Sequence, residues 1–179
     1  MQRVAALDHD EQLLAAARAG DRAAFERLIE PHIAVGYRLA AAMLDDSAQA
    51  EDTVQEATFR AWRSIGRLRS AVQMKSWFLT IVANRSRSLL SSRWWSVIRM
   101  PGLHSQMQSP ADVAVQREDL QQALGRLSPD DRAAVFLRFY EDMTSREVGD
   151  ALGISDTAAR SRIHRALRRL RVDLAEEEL

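Results

Sequence analysis

An all-α fold of two small helical domains joined by a flexible linker, the C-terminal one a helix-turn-helix, is predicted by three observations. Apolar residues recur at helical spacing over most of the chain. Its 179 residues include only 6% aromatics, 7 Gly and 4 Pro, which suits helices better than sheets. Periodicity is lost over WSVIRMPGLHSQMQSPAD, from Trp95 to Asp112, where Pro101, Gly102, Ser105, Ser109 and Pro110 accumulate. That stretch divides the chain into domains 1–95 and 112–179 with a linker at 96–111.

The elements follow from punctuation. Helical patterning from Glu11 to Arg93 breaks at Gly20, at Asp45 to Ser47 and at Gly66 to Ser70. Pro31 lies inside a helical pattern and is expected to end or kink that helix. Ser47 reads as an N-cap, with Glu51 and Asp52 placed for the positive end of the helix it opens. In the second domain Ser128 caps a helix whose first residue is Pro129. Thr144 to Glu147 is a T-x-x-E capping box. Gly153 closes the helix it opens, Ile154 plugs the turn, and Ser155 caps a final Arg-rich helix. A short helix, a glycine turn and a basic helix make a helix-turn-helix.

Composition removes several functional classes. With no cysteine there are no disulfides, thiolate metal sites or cysteine nucleophile. No apolar run approaches the ~18 residues of a membrane span. Asp8, Asp10 and Glu11 stand where a signal peptide would be basic and then apolar, so a cytoplasmic chain without membrane insertion is expected. His9, His32, His104 and His164 are scattered, with no pair at metal-ligand spacing. Neither a Gly-rich phosphate loop nor a nucleophile elbow is present, so no cofactor and no enzyme activity are expected.

Formal net charge is zero, but it hides an alternation. Residues 1–56 carry 11 acidic and 5 basic side chains, whereas 57–111 carry 9 basic and no acidic ones. Residues 112–155 are acidic again, 156–172 hold six Arg against Asp156 alone, and 173–179 hold four carboxylates. Basic blocks of this kind attract phosphate, and acidic stretches beside them suit a protein partner or limit non-specific binding.

On the last helix, at ~100° per residue, Ala159, Ile163, Ala166, Leu167 and Leu170 form the buried stripe. Thr157, Ser161, His164 and Arg165 stand opposite or beside it in the N-terminal turns, where a major-groove helix reads bases, with Arg160 at the flank. Arg162, Arg168, Arg169 and Arg171 are expected to touch phosphate or stay solvated. An ordinary amphipathic helix with a solvated Arg face is the alternative. In the first domain, Val54, Ala57, Ala61 and Ile65 mark an apolar stripe, leaving Asp52, Gln55, Glu56 and Arg60 as a polar face for another protein. Downstream, Trp77, Phe78, Ile81 and Val82 read as core, with Lys75, Asn84, Arg85, Arg87 and Arg93 beside it. A pocket next to a cationic track suits an unstacked base on a single strand.

These segments, in this order, resemble bacterial RNA polymerase sigma factors of the extracytoplasmic-function (ECF) type, which consist of sigma-2 and sigma-4 domains. AEDTVQEATFRAW resembles the segment docking on the polymerase clamp helices, KSWFLTIVANRSRSLL the segment that melts and captures the minus-ten element, and LSPDDRAAVFLRFYEDMTSREVGDALGISDTAARSRIHRALRRLR the domain reading the minus-thirty-five element. The resemblance implies core-polymerase contacts at Asp52, Gln55, Glu56 and Arg60, and minus-ten contacts at Lys75, Trp77, Asn84, Arg85 and Arg87. It implies minus-thirty-five contacts at Thr157, Arg160, Ser161, His164, Arg165 and Arg168. Core RNA polymerase, through its clamp helices and flap, promoter DNA and an anti-sigma factor are the implied partners. The implied location is the bacterial cytoplasm, at the nucleoid when in holoenzyme. Thr58, where the family has a large apolar residue, Ala158 and Ala159, where it has Thr-Val, and SAVQMK, which lacks an acidic or glycine-containing form, depart from the pattern. Two rival readings are a dimeric helix-turn-helix repressor, which leaves the acid-free basic run without a role, and a sigma-like mimic that sequesters an anti-sigma factor.

Overall fold

The computed structural model describes residues 2–99 and 123–177, with side chains described for 7–92 and 123–171. Among the described residues all regular structure is helical. Helix α1 spans Gln2–Arg18, α2 Arg22–Leu44, α3 Ser47–Ser64 and α4 Met74–Arg99. Two short 3-10 turns, Ile65–Arg67 and Ala71–Gln73, join α3 to α4. After residue 123 come α5 (Pro129–Phe139), α6 (Ser145–Leu152) and α7 (Asp156–Glu177).

Most boundaries obey the expected local chemistry. The Asp21 side chain accepts from the Ala24 amide at 3.1 Å to open α2, and Ser128 accepts from the Asp131 amide at 3.2 Å with Pro129 in the first turn of α5. Gly153 ends α6 at φ 69, the left-handed conformation that costs glycine least, and Ser155 accepts from the Ala158 amide at 3.2 Å to open α7. The capping box of α6 is complete: the Thr144 hydroxyl accepts from the Glu147 amide, and the Glu147 carboxylate accepts from the Thr144 amide at 2.7 Å.

Three expectations are corrected. The cap of α3 is Asp46 rather than Ser47: its carboxylate accepts from the Gln49 amide at 3.1 Å and from the Gln49 side chain, and Ser47 becomes the first helical residue. An ionised acceptor at the positive end of a helix outcompetes the neighbouring hydroxyl. Pro31 was expected to end or kink its helix, and it does not end it: α2 runs on through Pro31, because the faces on either side, Leu28 and Ile29 before it and Val35 and Leu39 after it, are buried in one core. Packing there outweighs the loss of one helical hydrogen bond. Helix α4 continues to Arg99, past the expected linker start at 96, since no helix breaker precedes Pro101. The remaining linker positions lie outside the described residues.

Helices α2, α3 and α4 pack around Leu39, Met43, Phe78, Leu79 and Val82, all fully or nearly fully buried. The Val54, Ala57, Ala61 and Ile65 stripe of α3 is buried as expected, with Trp62 tilted against Phe25 at 5.2 Å. Helix α1 is tied to the second 3-10 turn by Glu11, whose carboxylate accepts from the Ser70 hydroxyl and the Ala71 amide at 2.8 Å. The two halves share their interior. Val148, Ala151 and Leu152 of α6, and Ala133, Ala134 and Leu137 of α5, belong to the same buried cluster as Phe78 and Val82. Helix α6 lies on α4, and α5 on α2.

The capping box carries a measurable load. Thr144→Ala is expected to lower stability by about 1 kcal/mol in denaturant unfolding. The Thr144 hydroxyl, then its amide, hold the Glu147 carboxyl below its usual range. A carboxylate with a lowered native pKa stabilises fully above its unfolded value of ~4.3, and that contribution fades as pH falls through the native value. The gap between wild type and Thr144→Ala should therefore shrink on acidification below pH ~4.3. A gap that is constant with pH would remove Glu147 from the cap.

Candidate polymerase and promoter surfaces

On the outer face of α3, Asp52, Gln55 and Arg60 are exposed and Glu56 is partly so. Glu56 and Arg60 form an i,i+4 pair at 2.7 Å, and the hydrogen bond from Arg60 lowers the Glu56 pKa. The face also contains Phe59, 56% exposed, with the Arg63 guanidinium 5.7 Å from its ring centroid. Its neighbour Thr58 is half-buried, its hydroxyl donating to the Val54 carbonyl at 2.8 Å.

Helix α4 gathers most of the expected minus-ten residues along one side. Asn84 is exposed, and its side-chain oxygen accepts from Arg87 at 2.9 Å. Trp77 is half-buried and packs on the core, and Arg85 is half-buried. Lys75 and Arg87 are engaged by the C-terminal half. Lys75 lies 3.9 Å from Glu141, while Arg87 donates to the Asp130 carboxylate at 2.8 Å and the Leu152 carbonyl at 3.1 Å. Sequence reasoning had no signal for these contacts, which join residues distant in the chain.

Helix α7 divides as its angular pattern predicts. Ala159, Ile163, Ala166 and Leu170 are buried, and Thr157, Arg160, Ser161, His164, Arg165 and Arg168 are exposed. Arg160 pairs with Asp156 one turn earlier. Arg162 departs from expectation: instead of reaching solvent or phosphate, it sits half-buried against Asp130 at 3.1 Å and Asp131 at 3.8 Å. It fastens the recognition helix to the start of α5. Arg169 reaches Asp131 at 3.5 Å from a more exposed position.

Residues 28–96 match the family described as Sigma-70 region 2, and residues 117–170 match Sigma-70, region 4. ECF RNA polymerase sigma factor SigL of Mycobacterium tuberculosis is 32% identical over 171 residues, covering 89% of this chain and 94% of that protein. RNA polymerase sigma factor CarQ of Myxococcus xanthus is 34% identical over 168 residues, covering 90% and 95%. The chain belongs to the ECF RNA polymerase sigma factors. It is thereby a member of a family of transcription initiation factors. Solved structures agree with this ECF sigma factor's fold. The sigma factor RpoE of Bartonella quintana, solved with the anti-sigma factor NepR, aligns at a TM-score of 0.72 with 25% identity, covering 84% of this chain and 96% of that one. CnrH, solved with the cytosolic domain of CnrY, aligns at 0.68 with 23% identity, covering 94% and 99%. The α3 and α4 residues above fall inside the region 2 match, and those of α7 inside region 4. No helix among the described residues is long and apolar enough to cross a membrane.

Proposed function

We propose that this sigma factor binds core RNA polymerase through the α3 face of Asp52, Gln55, Glu56 and Arg60, with Phe59 as its apolar centre. Helix α4 engages the minus-ten element through Lys75, Trp77, Asn84, Arg85 and Arg87. Helix α7 reads the minus-thirty-five element through Thr157, Arg160, Ser161, His164 and Arg165, with Arg168 on phosphate. The protein acts in the cytoplasm, at the nucleoid when in holoenzyme, and an anti-sigma factor holds it inactive until a signal arrives. The complexed state of the RpoE neighbour supports that last element. The observation that carries the reading is the exposed polar face of α7, opposite its buried stripe and inside the region 4 match.

Run-off transcription with core polymerase and a promoter library tests it. Wild type should direct initiation to a defined promoter class. Arg165→Ala should cost about 1 to 3 kcal/mol and relax preference at one upstream position, whereas Arg168→Ala should weaken all promoters alike and lower the salt slope by about one. Gln55→Ala with Glu56→Arg should lose competition for core enzyme while keeping its helicity. Equal losses on every promoter for Arg165→Ala and Arg168→Ala would reduce α7 to a general phosphate grip. Unchanged competition for core would remove the α3 face.

A further inference from the structure

Helix α1 precedes both matched regions, which begin at residues 28 and 117. It docks on the core through Leu14 and Ala17, both buried. From the same helix two side chains reach the segment that joins α3 to α4. The Glu11 carboxylate accepts from the Ser70 hydroxyl and from the Ala71 amide at 2.8 Å, and the Arg18 guanidinium donates to the Leu68 carbonyl. Leu68 and Ser70 have extended backbone. Leu68 and Ala71 are buried, while Arg67, Arg69 and Val72 are exposed, Val72 at 68%.

The spacing of the two contacts matches. Glu11 and Arg18 are two turns apart on one face, or ~10.5 Å along α1 at ~1.5 Å per residue. Extended chain from Leu68 to Ala71 covers ~10 Å at ~3.3 Å per residue. The strip thus runs antiparallel to α1 and is held at both ends. Its need for an outside partner follows from the sequence. A strip between two short turns leaves backbone groups without helical partners, and residues 57–111 contain no Asp or Glu to meet them. Glu11 brings the missing anionic acceptor. The Ser70 hydroxyl, then the Ala71 amide, hold its carboxyl below the usual range, so it is ionised at neutral pH. The strip passes directly into α4, which starts at Met74 with Lys75 and Trp77 in its first turn.

We propose that α1 is a positioning element for promoter recognition: Glu11 and Arg18 fix the strip 68–71, and with it the start of α4, in the form that accepts the minus-ten strand. The proposal rests on the sigma-factor reading above and extends the promoter apparatus to a helix outside both matched regions. Glu11 and Arg18 are positioning residues, acting through Ser70, Ala71 and Leu68. A strip ordered in advance costs nothing further to order when the strand arrives, and it does not remodel to suit a wrong sequence.

Run-off transcription on two promoter series, one altered at minus ten and one at minus thirty-five, tests it, with competition for core enzyme alongside. Glu11→Ala should reduce discrimination across the minus-ten series about tenfold, and leave the minus-thirty-five series and core competition unchanged. Glu11→Gln keeps an oxygen that accepts from Ser70 and Ala71, and should restore most of that discrimination. Arg18→Ala should act in the same direction as Glu11→Ala. Leu14 and Ala17 keep α1 docked in all three variants. In the full chain without polymerase, hydrogen exchange at the Ala71 amide should quicken about tenfold in Glu11→Ala. Unchanged minus-ten discrimination in Glu11→Ala would overturn the proposal. So would equal losses on both promoter series, which a general loss of stability produces. Absence of transcription from wild type would instead overturn the sigma-factor reading, and exchange at Ala71 would then decide whether α1 holds the strip.

Discussion

Phe78→Ala is expected to cost about 3 to 5 kcal/mol, a large part of the ~5 to 15 kcal/mol that stabilises a domain. Phe78 is fully buried on α4, and its ring fills the approach between α2 and α4. A Cβ placed on Gly36 would lie 2.8 Å from the Phe78 Cε1 atom. Leu39, Leu79 and Val82 belong to the same close-packed cluster. A close-packed surround relaxes only partly into the space that the ring vacates, so the cavity term adds to the transfer term. Thermal unfolding followed by circular dichroism should show a fall of about 6 to 20 °C in Tm, at ~2 to 4 °C per kcal/mol for a chain of this size. A fall under ~2 °C would mean that α2 and α4 close over the gap, and would remove Phe78 from the centre of the fold.

Gly149→Val is expected to abolish minus-thirty-five recognition while sparing polymerase docking. A Cβ at Gly149 would stand 2.8 Å from the Ile154 carbonyl oxygen and 3.3 Å from the Asp156 amide nitrogen. Both are backbone atoms of the turn that aims α7, so no rotamer change relieves the clash. Overpacking costs of about 1 to 3 kcal/mol are usual where side chains can adjust, and the upper end applies where only backbone can move. The turn must open, and Thr157, Ser161 and Arg165 move with it. Titration of a minus-thirty-five duplex with holoenzyme should show lost discrimination, while competition for core enzyme through α3 is retained. Normal discrimination would show that the turn absorbs a branched side chain and that α6 does not set the aim of α7.

What the sequence made legible was local. The Thr144–Glu147 box, the Ser128–Pro129 start, Gly153 and Ser155 each depend on atoms within four residues of one another, so their residue types announce them. Amphipathic stripes were equally readable: Ala159, Ile163 and Ala166 on α7, and Val54, Ala57 and Ala61 on α3, are buried because one face of each helix meets a neighbour. Local competition was harder. Asp46 and Ser47 are both acceptable caps, and the choice between them depends on charge and on which backbone amide comes within reach. Pro31 carried a sound local argument for a helix end, which the packing of Leu28, Ile29, Val35 and Leu39 overrode. Long-range pairing was invisible. Arg162 read as one more solvated arginine, and nothing in its neighbourhood announced Asp130 and Asp131 thirty residues earlier. Lys75 and Arg87 read as cations beside the core and as minus-ten contacts, with no sign of Glu141 or Asp130, for the same reason.

The pairing of Lys75 with Glu141 has a chemical consequence. Arginine supplies every other basic position in the 25 Lys and Arg of the chain, so Lys75 is the one side-chain primary amine in the sequence. An amine-directed reagent thus has a single side-chain address, and it lies on the seam between the halves. With the halves packed together the Lys75 side chain is 36% exposed beside Glu141, so a reagent reaches it less readily than it would with the seam open. Acylation rate at Lys75, read by mass spectrometry on unmodified protein, reports how often the seam is open without any introduced label.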